Sequence, residues 1–522
     1  LFRSREQIND IINSYITKYD FDRVFKVSAL ANAINTKNMN IKGNDLRIFN
    51  TMLNYLYQTT KISVTEERMD LLRKNSLSQK GLWKFGISGD RPIILVDIND
   101  ISDLSFVLGI LKAFEYYKNN SIFVDVVIIN DEDAKYNDVI NREIENEIYR
   151  MYSVNSFYHT PGCIKVIDGK SLSREEISLF RIVPRLRFDI KNHITLNEAV
   201  EDLQKNNKIG NYYRDEYEEN VPSVNEEKLV FDNGYAGFNK TGTEYIIYNN
   251  GTPAPWSNVI ANEKFGTIIT NTGAGYTYFE NSSEFKITSW TNDTVVSDVS
   301  EGFKFDGKRF HPESCVHGLG YSILKSESLE LEKEITEFVP VDDTVKLYLL
   351  KLKNKTNKKL DFDVSYFINP VLGNFEEKTA RHILSEFIPS DNCVKLRNVY
   401  SVNYSEFCVY MSSSERINSS VIDRILVKSI DTKVSLKPSE EKSISFMLVA
   451  LNNDKGHLEL IDKYRDISNV EKELVKVKKH WRETLGVISV KSPDKSFDFM
   501  INSWYLYQTI SSRIMAKAGF YQ

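Results

Sequence analysis

The chain has 522 residues, which at about 150 residues per domain predicts three domains. Its 67 Lys and Arg residues nearly balance 72 Asp and Glu residues, and the formal net charge of −5 argues against a large binding surface for nucleic acid or anionic lipid. Hydrophobic residues make up 41% and charged residues 27%, the composition of a folded globular protein rather than a disordered one.

Helices are predicted at the start of the chain. Arg5 to Tyr19 and Asp45 to Tyr57 carry apolar residues at helical spacing, and we assign residues 1–84 to an N-terminal helical segment. Over residues 85–204, short runs rich in Val and Ile alternate with helical patterns. These runs are Pro92 to Ile98, Ile122 to Asn130 and Cys163 to Asp168. Strands that alternate with helices predict a small parallel α/β extension.

A large all-β region follows a polar linker at 205–228. Residues 229–455 contain many short strands joined by Gly and Asn turns, which predicts a large antiparallel β-sandwich. Within it, Lys264 to Glu280 is predicted to be one hairpin. Val345 to Leu352 and Leu360 to Ile368 are predicted to form another.

The tail returns to helix. One long amphipathic helix, Glu459 to Leu485, is predicted within a linker at 456–491, and a second helix opens at Asp494 within 492–522. The fold class is therefore a multidomain α+β protein. Because residue 1 is Leu and the last helix is strongly apolar, we expect the sequence to be part of a longer one.

Cysteines and histidines give no pattern of a metal or nucleophile site. The four cysteines are scattered, which predicts reduced, buried thiols. His311 and His317 lie beside Cys315 in a predicted loop, where hydrogen-bonded or surface histidines are favoured over metal ligands. Paired carboxylates are possible in a sandwich, but the spacing selects no pair from Glu244, Glu280, Asp293 and Asp298.

Residues 233–298 contain the most informative pattern. Glycines lie beside Tyr, Trp, Asn and Asp in TPAPWSN (252–258), TGAGYTY (272–278) and SWTND (289–293). Flat aromatic faces with polar neighbours suit sugar rings, which have apolar C–H faces edged by hydroxyls. The alternative, that Trp256 and Trp290 fill the core of the sandwich, stays equally open.

Several motifs carry a resemblance to a known family. NGYAGF, TPAPWSNVIAN, FGTIITNTGAGYTYFENS and WTND resemble the N-terminal β-sandwich of the cellobiose, chitobiose and 1,2-β-oligoglucan phosphorylases (glycoside hydrolase family 94), which also occurs in cyclic β-1,2-glucan synthases. Upstream, GLWKFGISGDRPIILV resembles the α/β extension of the β-1,2-glucan branch. The tail NSWYLYQTISSRIMAKAGFYQ resembles the first helix of the family's (α/α)6 catalytic barrel.

This resemblance implies inverting phosphorolysis of a β-glucoside. In that reaction an Asp protonates the departing oxygen, and inorganic phosphate, as co-substrate, attacks the anomeric carbon. No metal or organic cofactor is implied. In the family the catalytic Asp lies on the barrel, so we expect no catalytic residue here, only substrate contacts. The candidates are Trp256, Asn258, Tyr276, Trp290, Asn292, Asp293, Tyr521 and Gln522.

The expected partners are a β-glucan oligosaccharide, a catalytic barrel in cis or in trans, and a second copy in a homodimer. The sandwich of such enzymes packs on the barrel and shapes the mouth of its pocket. Two alternatives remain: a stand-alone carbohydrate-binding module served by Trp256, Trp290, Tyr276 and Tyr278, or a non-catalytic subunit of a split enzyme. We expect a cytoplasmic location, with a membrane-anchored parent if the parent is a synthase.

Overall fold

The computed structural model describes residues 4–15, 18–57, 66–131, 137–155, 161–190, 195–206, 228–291, 300–418 and 428–517. The chain forms two compact units. One comprises residues 1–59 and 79–209, and the other comprises residues 60–78 and 210–522.

The α-helices of the described residues, in chain order, are α1 (Arg5–Ser14), α2 (Lys18–Asn38), α3 (Gly43–Tyr57), α4 (Glu66–Lys74), α5 (Lys80–Trp83), α6 (Leu104–Asn119), α7 (Asn137–Asn155), α8 (Arg174–Ile182), α9 (Leu196–Asn206), α10 (Glu376–Thr379), α11 (His457–Arg465), α12 (Ile467–Leu485), α13 (Lys495–Phe499) and α14 (Tyr505–Thr509).

The strands of the same residues are β1 (Ile93–Ile98), β2 (Asp125–Asn130), β3 (Ile164–Asp168), β4 (Leu186–Asp189), β5 (Ala236–Phe238), β6 (Glu244–Ile247), β7 (Ser257–Ala261), β8 (Phe265–Thr270), β9 (Gly275–Phe279), β10 (Lys286–Thr288), β11 (Glu301–Phe305), β12 (Lys308–Arg309), β13 (Ser314–Gly318), β14 (Tyr321–Glu327), β15 (Leu331–Phe338), β16 (Val345–Asn354), β17 (Leu360–Ile368), β18 (Pro370–Gly373), β19 (Leu384–Ile388), β20 (Cys393–Arg397), β21 (Cys408–Ser413), β22 (Lys428–Leu436) and β23 (Glu441–Leu451).

The first unit contains a parallel sheet in the order β3-β2-β1-β4. The near-continuous apolar runs of β1 and β2 are buried, as expected for a parallel sheet covered by helices. Its core also takes Ile110, Leu111 and Phe114 from α6. The predicted α/β fold is confirmed. The single helix predicted over Arg5 to Tyr19 is wrong, because α1 ends at Ser14 and α2 begins at Lys18.

The second unit is built on three antiparallel sheets within the described residues. The largest has ten strands in the order β19-β20-β21-β23-β16-β15-β14-β13-β6-β5. A five-stranded sheet, β18-β10-β9-β8-β7, and a four-stranded sheet, β12-β11-β17-β22, pack against one of its faces. Its other face packs against α11, α12 and the terminal helical segment, which comprises residues 495–515. The predicted large sandwich is confirmed, as is the hairpin of Lys264 to Glu280, which forms β8 and β9.

The second predicted hairpin is wrong. β16 pairs with β15 and β23 in the ten-stranded sheet, whereas β17 pairs with β11 and β22 in the four-stranded sheet. The polar turn between β16 and β17 therefore crosses from one layer of the sandwich to the other. Asn354 stabilises this crossing, because its amide donates hydrogen bonds to the carbonyls of Lys358 (2.7 Å) and Lys437 (2.9 Å).

Helices cover the outer face of the ten-stranded sheet. The single helix predicted over Glu459 to Leu485 is wrong, because Asp466 has an extended backbone (ψ 111°) and its carboxylate caps α12 by accepting from the amide of Ser468 at 2.9 Å. Residues 495–515 are helical throughout, with π-helical segments at Met500–Trp504 and Ile510–Met515 flanking α14. Among the helices that the structure describes, none combines the length and apolar character that crossing a membrane requires.

Candidate functional site

Two of the predicted site residues form an aromatic stack on the outer face of the five-stranded sheet. The rings of Tyr276 and Trp290 are nearly parallel, with centroids 5.4 Å apart and an interplanar angle of 24°. Tyr276 is only 7% exposed, whereas Trp290 is partly exposed, so the indole forms the accessible side of the stack. Ile268 and Ala516 pack around the two rings. The stack thus offers one flat apolar surface to solvent.

The sequence of β9 explains how the stack forms. Alternation along the strand places Tyr276 and Tyr278 on the outer face, while Thr277 and Phe279 point into the sandwich. Gly275 precedes Tyr276 at a point where a Cβ atom would lie 1.9 Å from the carbonyl oxygen of Ile268. Only glycine therefore allows β8 and β9 to pair this closely beside the stack.

Polar groups lie beside the stack. The hydroxyl of Ser289, the residue before Trp290, donates a hydrogen bond to the carboxylate of Glu376, and the amide of Asn369 donates to the same oxygen at 3.4 Å. On the other side, burial raises the pKa of Tyr276 to about 12, and its hydroxyl donates to the carbonyl of Ser282 at 3.4 Å. The surroundings supply both hydrogen-bond donors and acceptors.

The terminal helical segment ends beside this stack. The amide of Ser282 donates to the carbonyl of Ala516 at 3.0 Å, and the side chain of Asn281 donates to the carbonyl of Lys517 at 2.8 Å. Lys517 also lies 3.7 Å from Glu280. The predicted site residues Tyr521 and Gln522, which follow this segment in sequence, and Asn292 and Asp293, which follow Trp290, lie outside the described residues.

A buried ion cluster lies on the inner side of the strands that carry the stack. The ammonium of Lys346 is 2.6 Å from Glu301 and 2.7 Å from Glu337, and all three side chains are essentially inaccessible to water. Thr277 on β9 donates to Glu301 (2.9 Å), and Thr288 on β10 donates to it at 3.3 Å. The cluster thereby ties together β9, which carries Tyr276, and β10, which directly precedes Ser289 and Trp290.

Burial makes one member of this cluster hard to ionise. Loss of water raises the pKa of Glu337 to about 7, although the nearby Lys346 acts in the opposite direction. Sequence analysis did not find this carboxylate pair. A signal was present, because Lys346 alternates with Tyr348, Leu350 and Leu352, which all face the core, and so occupies a position expected to be apolar.

Trp256 and Asn258 are not part of the aromatic stack and lie against or within the interior of the sandwich. The indole of Trp256 is partly buried against the sandwich core and lies 5.9 Å from the ring of Tyr245 and 6.2 Å from that of Tyr235. Asn258 is fully buried, and its amide donates to the carbonyls of Gly318 (2.9 Å) and Tyr321 (3.0 Å). These bonds join the five-stranded sheet to the ten-stranded sheet, so the structure assigns Asn258 a role in packing.

The remaining candidates are structural groups. His317 lies on β13 rather than in a loop, is buried, and contacts the hydroxyl of Ser322 at 2.9 Å and the carbonyl of Trp256 at 3.1 Å. Burial lowers its pKa to about 4, so the ring is neutral at physiological pH. Cys315, Cys393 and Cys408 are buried free thiols, as predicted, whereas the free thiol Cys163 is partly exposed, so the prediction of burial is wrong for that residue. In the parts of the chain that the structure describes, no three His, Cys, Asp or Glu side chains are arranged to hold a metal ion.

These features define a class: a multidomain α+β protein whose large antiparallel sandwich is covered on one side by helices. Residues 243–303 and 308–425 match the family described as glycosyl hydrolase 94, supersandwich domain. The sandwich therefore matches the supersandwich domain of glycosyl hydrolase family 94, and the resemblance found in the sequence is confirmed. The match covers parts of the ten-stranded sheet and most of the strands that surround the aromatic stack.

Curated proteins that are similar to this chain in sequence include a β-glucan synthase and two kinds of phosphorylase. The chain is 27% identical over 508 residues to the cyclic β-(1,2)-glucan synthase NdvB of Rhizobium meliloti (strain 1021), an alignment that covers 85% of this chain and 18% of the synthase. It is 22% identical to the N,N′-diacetylchitobiose phosphorylase of Vibrio proteolyticus, over 52% of this chain and 40% of the phosphorylase. A 3-O-β-D-glucopyranosyl-β-D-glucuronide phosphorylase of Paenibacillus borealis is 28% identical over 23% of this chain and 16% of its own.

The chain thus spans less than half the length of these relatives. It is related both to glycoside phosphorylases and to a β-glucan synthase. The alignment with the synthase extends over more of this chain than the alignments with the phosphorylases.

Proposed function

We propose that this chain is the N-terminal, carbohydrate-handling portion of an inverting β-glucoside phosphorylase or of a cyclic β-1,2-glucan synthase. The observation that carries the proposal is the aromatic stack of Tyr276 and Trp290, which lies on a sandwich of the glycosyl hydrolase 94 type. A β-1,2-linked glucan is the proposed ligand, because the relative aligned over most of this chain is a cyclic β-(1,2)-glucan synthase.

The chemistry of the stack suits a sugar ring. The accessible indole of Trp290 provides an apolar face for the C–H groups of a pyranose, and Tyr276 behind it fixes the plane of that face. Glu376 and Asn369 supply an acceptor and a donor next to Ser289, within one residue of the indole. A small number of placed polar groups around an apolar surface is the usual composition of a small-molecule site.

In this proposal the chain shapes the entrance to an active site that a catalytic barrel completes, in cis or in trans. The barrel supplies the acid that protonates the glycosidic oxygen, and inorganic phosphate is the co-substrate. The part played by this chain is to hold the glucan. Asn292, Asp293, Tyr521 and Gln522 are proposed as further sugar contacts, since their segments adjoin Trp290 and Lys517 in sequence.

Binding of β-1,2-linked glucose oligosaccharides, measured by isothermal titration calorimetry, tests the proposal. We expect Trp290→Ala to weaken binding at least fivefold, because loss of the apolar contact between an indole and the C–H face of a sugar ring costs about 1 kcal/mol or more. Trp83→Ala is the matched control, since Trp83 is also accessible but lies in the other unit. Equal affinities of the Trp290→Ala and unsubstituted proteins would contradict the proposal.

A second measurement addresses the reaction. We expect no glucose 1-phosphate when the purified chain is incubated with β-1,2-glucan and inorganic phosphate, because the proposed acid belongs to the barrel. An active β-1,2-glucan phosphorylase in a parallel reaction checks the assay. Release of glucose 1-phosphate by this chain would show that the acid lies within the sequence and would overturn this part of the proposal.

One observation favours the alternative of a non-catalytic subunit that pairs with a separate barrel. The terminal helical segment exposes large apolar side chains, with Tyr505 at 55% and Ile514 at 66% accessible. Exposed large apolar side chains on one segment are a feature of interaction sites. Co-expression with a barrel of the same family distinguishes the possibilities, because recovery of phosphorolysis from two separate chains supports a split enzyme.

A further inference from the structure

A second concave site lies in the sandwich unit, apart from the residues of the aromatic stack. It is a cleft of about 460 Å³, within the range of about 300–1,000 Å³ that small-molecule sites occupy. Its walls are the turn between β7 and β8, the segment 339–344 between β15 and β16, and one side of α12. Met515 of the terminal helical segment closes one end.

The walls of this cleft are held in place by hydrogen bonds. Asn262 is buried, and its amide donates to the carbonyls of Pro340 (2.8 Å) and Asp343 (2.9 Å), while its side-chain oxygen accepts from the amide of Phe265 at 2.8 Å. The carboxylate of Asp343 is bound by Lys463 (2.6 Å). Both walls are thus joined to the sheet and to α11, so the cleft is formed before any ligand arrives.

The lining combines an apolar floor with a polar rim. Leu460 and Met515 are the partly accessible apolar side chains of the lining, whereas Val339, Val477 and Trp481 are buried. On the rim, the ammonium of Lys264 and the carboxylate of Glu263 are accessible and have no hydrogen-bond or ion-pair partner among the described residues. His480 contributes an imidazole whose ring centroid is 5.7 Å from that of Trp481 and which also interacts electrostatically with Asp342.

The charges in the cleft favour a ligand without net charge. Asp342 is paired with Lys476 at 2.6 Å and Asp343 with Lys463 at 2.6 Å, so each of these carboxylates already has a cationic partner. The unpaired groups are one cation, Lys264, and one anion, Glu263, which balance each other. A ligand with both donors and acceptors and an apolar face matches this lining better than an anion or a cation does.

We propose that this cleft is a second saccharide site, which takes one or two neutral sugar rings independently of the aromatic stack. The inference rests on the proposed function for its choice of ligand class. In this site, Lys264, Glu263 and His480 bind hydroxyl groups, and the partly accessible side chains of Leu460 and Met515 contact the C–H face of a ring. The end of the terminal helical segment separates the two sites, because Met515 lines the cleft while Ala516 packs against Tyr276.

Fluorine NMR of the full chain labelled with 5-fluorotryptophan tests the inference. The sequence has five tryptophans, and Trp→Phe variants assign their signals. Sophorose, the β-1,2-linked disaccharide of glucose, is the probe. We expect the Trp481 signal to shift saturably with sophorose, and Lys264→Ala and His480→Ala each to raise its apparent Kd at least tenfold. Lys479→Ala is the matched control, since Lys479 is the accessible neighbour of His480 on α12.

The two tryptophan signals separate this inference from the proposed function. A shift of the Trp290 signal without one at Trp481 overturns the cleft site and leaves the proposed function standing. A Trp481 shift that Lys264→Ala and His480→Ala do not alter also overturns the cleft site, since the change then originates elsewhere. No shift at either signal counts against both, and unchanged signal dispersion in each variant confirms that it is folded.

Discussion

Glu337 is one of two carboxylates that share the ammonium of Lys346 inside the sandwich. With all three groups ionised, the cluster holds one more negative than positive charge in a place that water does not reach. Ionised groups are costly to bury, and a protein relieves the cost by shifting a pKa and keeping one group neutral. The pKa of Glu337 is raised to about 7, so this carboxyl group stays protonated over a wider pH range and the cost of burying its charge is avoided.

The pH dependence of stability follows from that shift. The folded pKa of Glu337 lies above the ordinary value of 4.5, so the folded state holds a proton that the unfolded state has released, and stability is lost as pH rises from 4.5 to about 7. In Glu337→Gln this loss is absent. We expect the free energy of unfolding of the variant, relative to the unsubstituted protein, to increase over that pH interval and then to level off.

Urea unfolding at a series of pH values, followed by near-ultraviolet circular dichroism, measures this difference. Glu441→Gln is the control, because Glu441 is exposed and its pKa is lowered by the hydrogen bond to Lys353, which places its effect below pH 4.5. A difference for Glu337→Gln that does not change with pH would show that Glu337 stays ionised in the folded protein.

The roles of some single residues could be predicted from the sequence, and those of others could not. Tyr276 and Trp290 were predicted as site candidates, and the structure brings them into contact. Asn258 was predicted from a separate motif, TPAPWSN, but whether an amide reaches solvent or joins two sheets depends on long-range pairing that a local motif does not contain. The cluster around Lys346 joins residues 45 and 9 positions apart, so only the misplaced polar residue within an apolar strand could have indicated it.

At the scale of elements, local patterns identified strands well and their pairing less well. The turn between β16 and β17 is polar, as a hairpin turn would be, yet the strands belong to opposite layers. Most of β16 and β23 is buried on both faces, so alternation of apolar and polar residues could not indicate which layer each strand joins. The break at Asp466 was missed because the apolar spacing of α11 and α12 continues across it.

Docking of the terminal helical segment depends on Tyr507. Its hydroxyl donates to the carbonyl of Val259 at 2.7 Å and accepts from the amide of Gly320 at 3.0 Å, and it is fully buried. We expect Tyr507→Phe to leave both backbone groups without a partner and to destabilise the docked segment by about 1–3 kcal/mol. Tyr505→Phe is the control, since Tyr505 is exposed on the same helix.

Limited proteolysis of residues 486–517 reports this docking directly. The Tyr507→Phe protein should be cleaved there at least fivefold faster than the unsubstituted protein, because about 1 kcal/mol changes an open population by roughly that factor. Tyr505→Phe should be cleaved at the original rate. Equal rates for Tyr507→Phe and Tyr505→Phe would mean that the buried hydroxyl does not hold the segment.

At the scale of the whole molecule, sequence order does not follow the division into units. α4 lies in the chain between the two segments of the α/β unit but belongs to the unit of the sandwich, where Arg68 donates to the carbonyl of Arg381 at 2.9 Å. Periodicity identified a parallel unit and a sandwich, because each depends on patterns within short segments. It could not assign α4, whose partner lies more than 300 residues away.

Each unit has a hydrophobic core of its own, which leads to a prediction for the unfolding of the full chain. Leu111 is fully buried in the core of the first unit, and Ile335 is buried between the sheets of the second. Truncation of a buried Leu or Ile to Ala costs about 2–5 kcal/mol. We therefore expect two transitions in differential scanning calorimetry, with Leu111→Ala lowering the midpoint of one and Ile335→Ala lowering the midpoint of the other. A single transition that both substitutions shift equally would show instead that the two cores unfold as one cooperative structure.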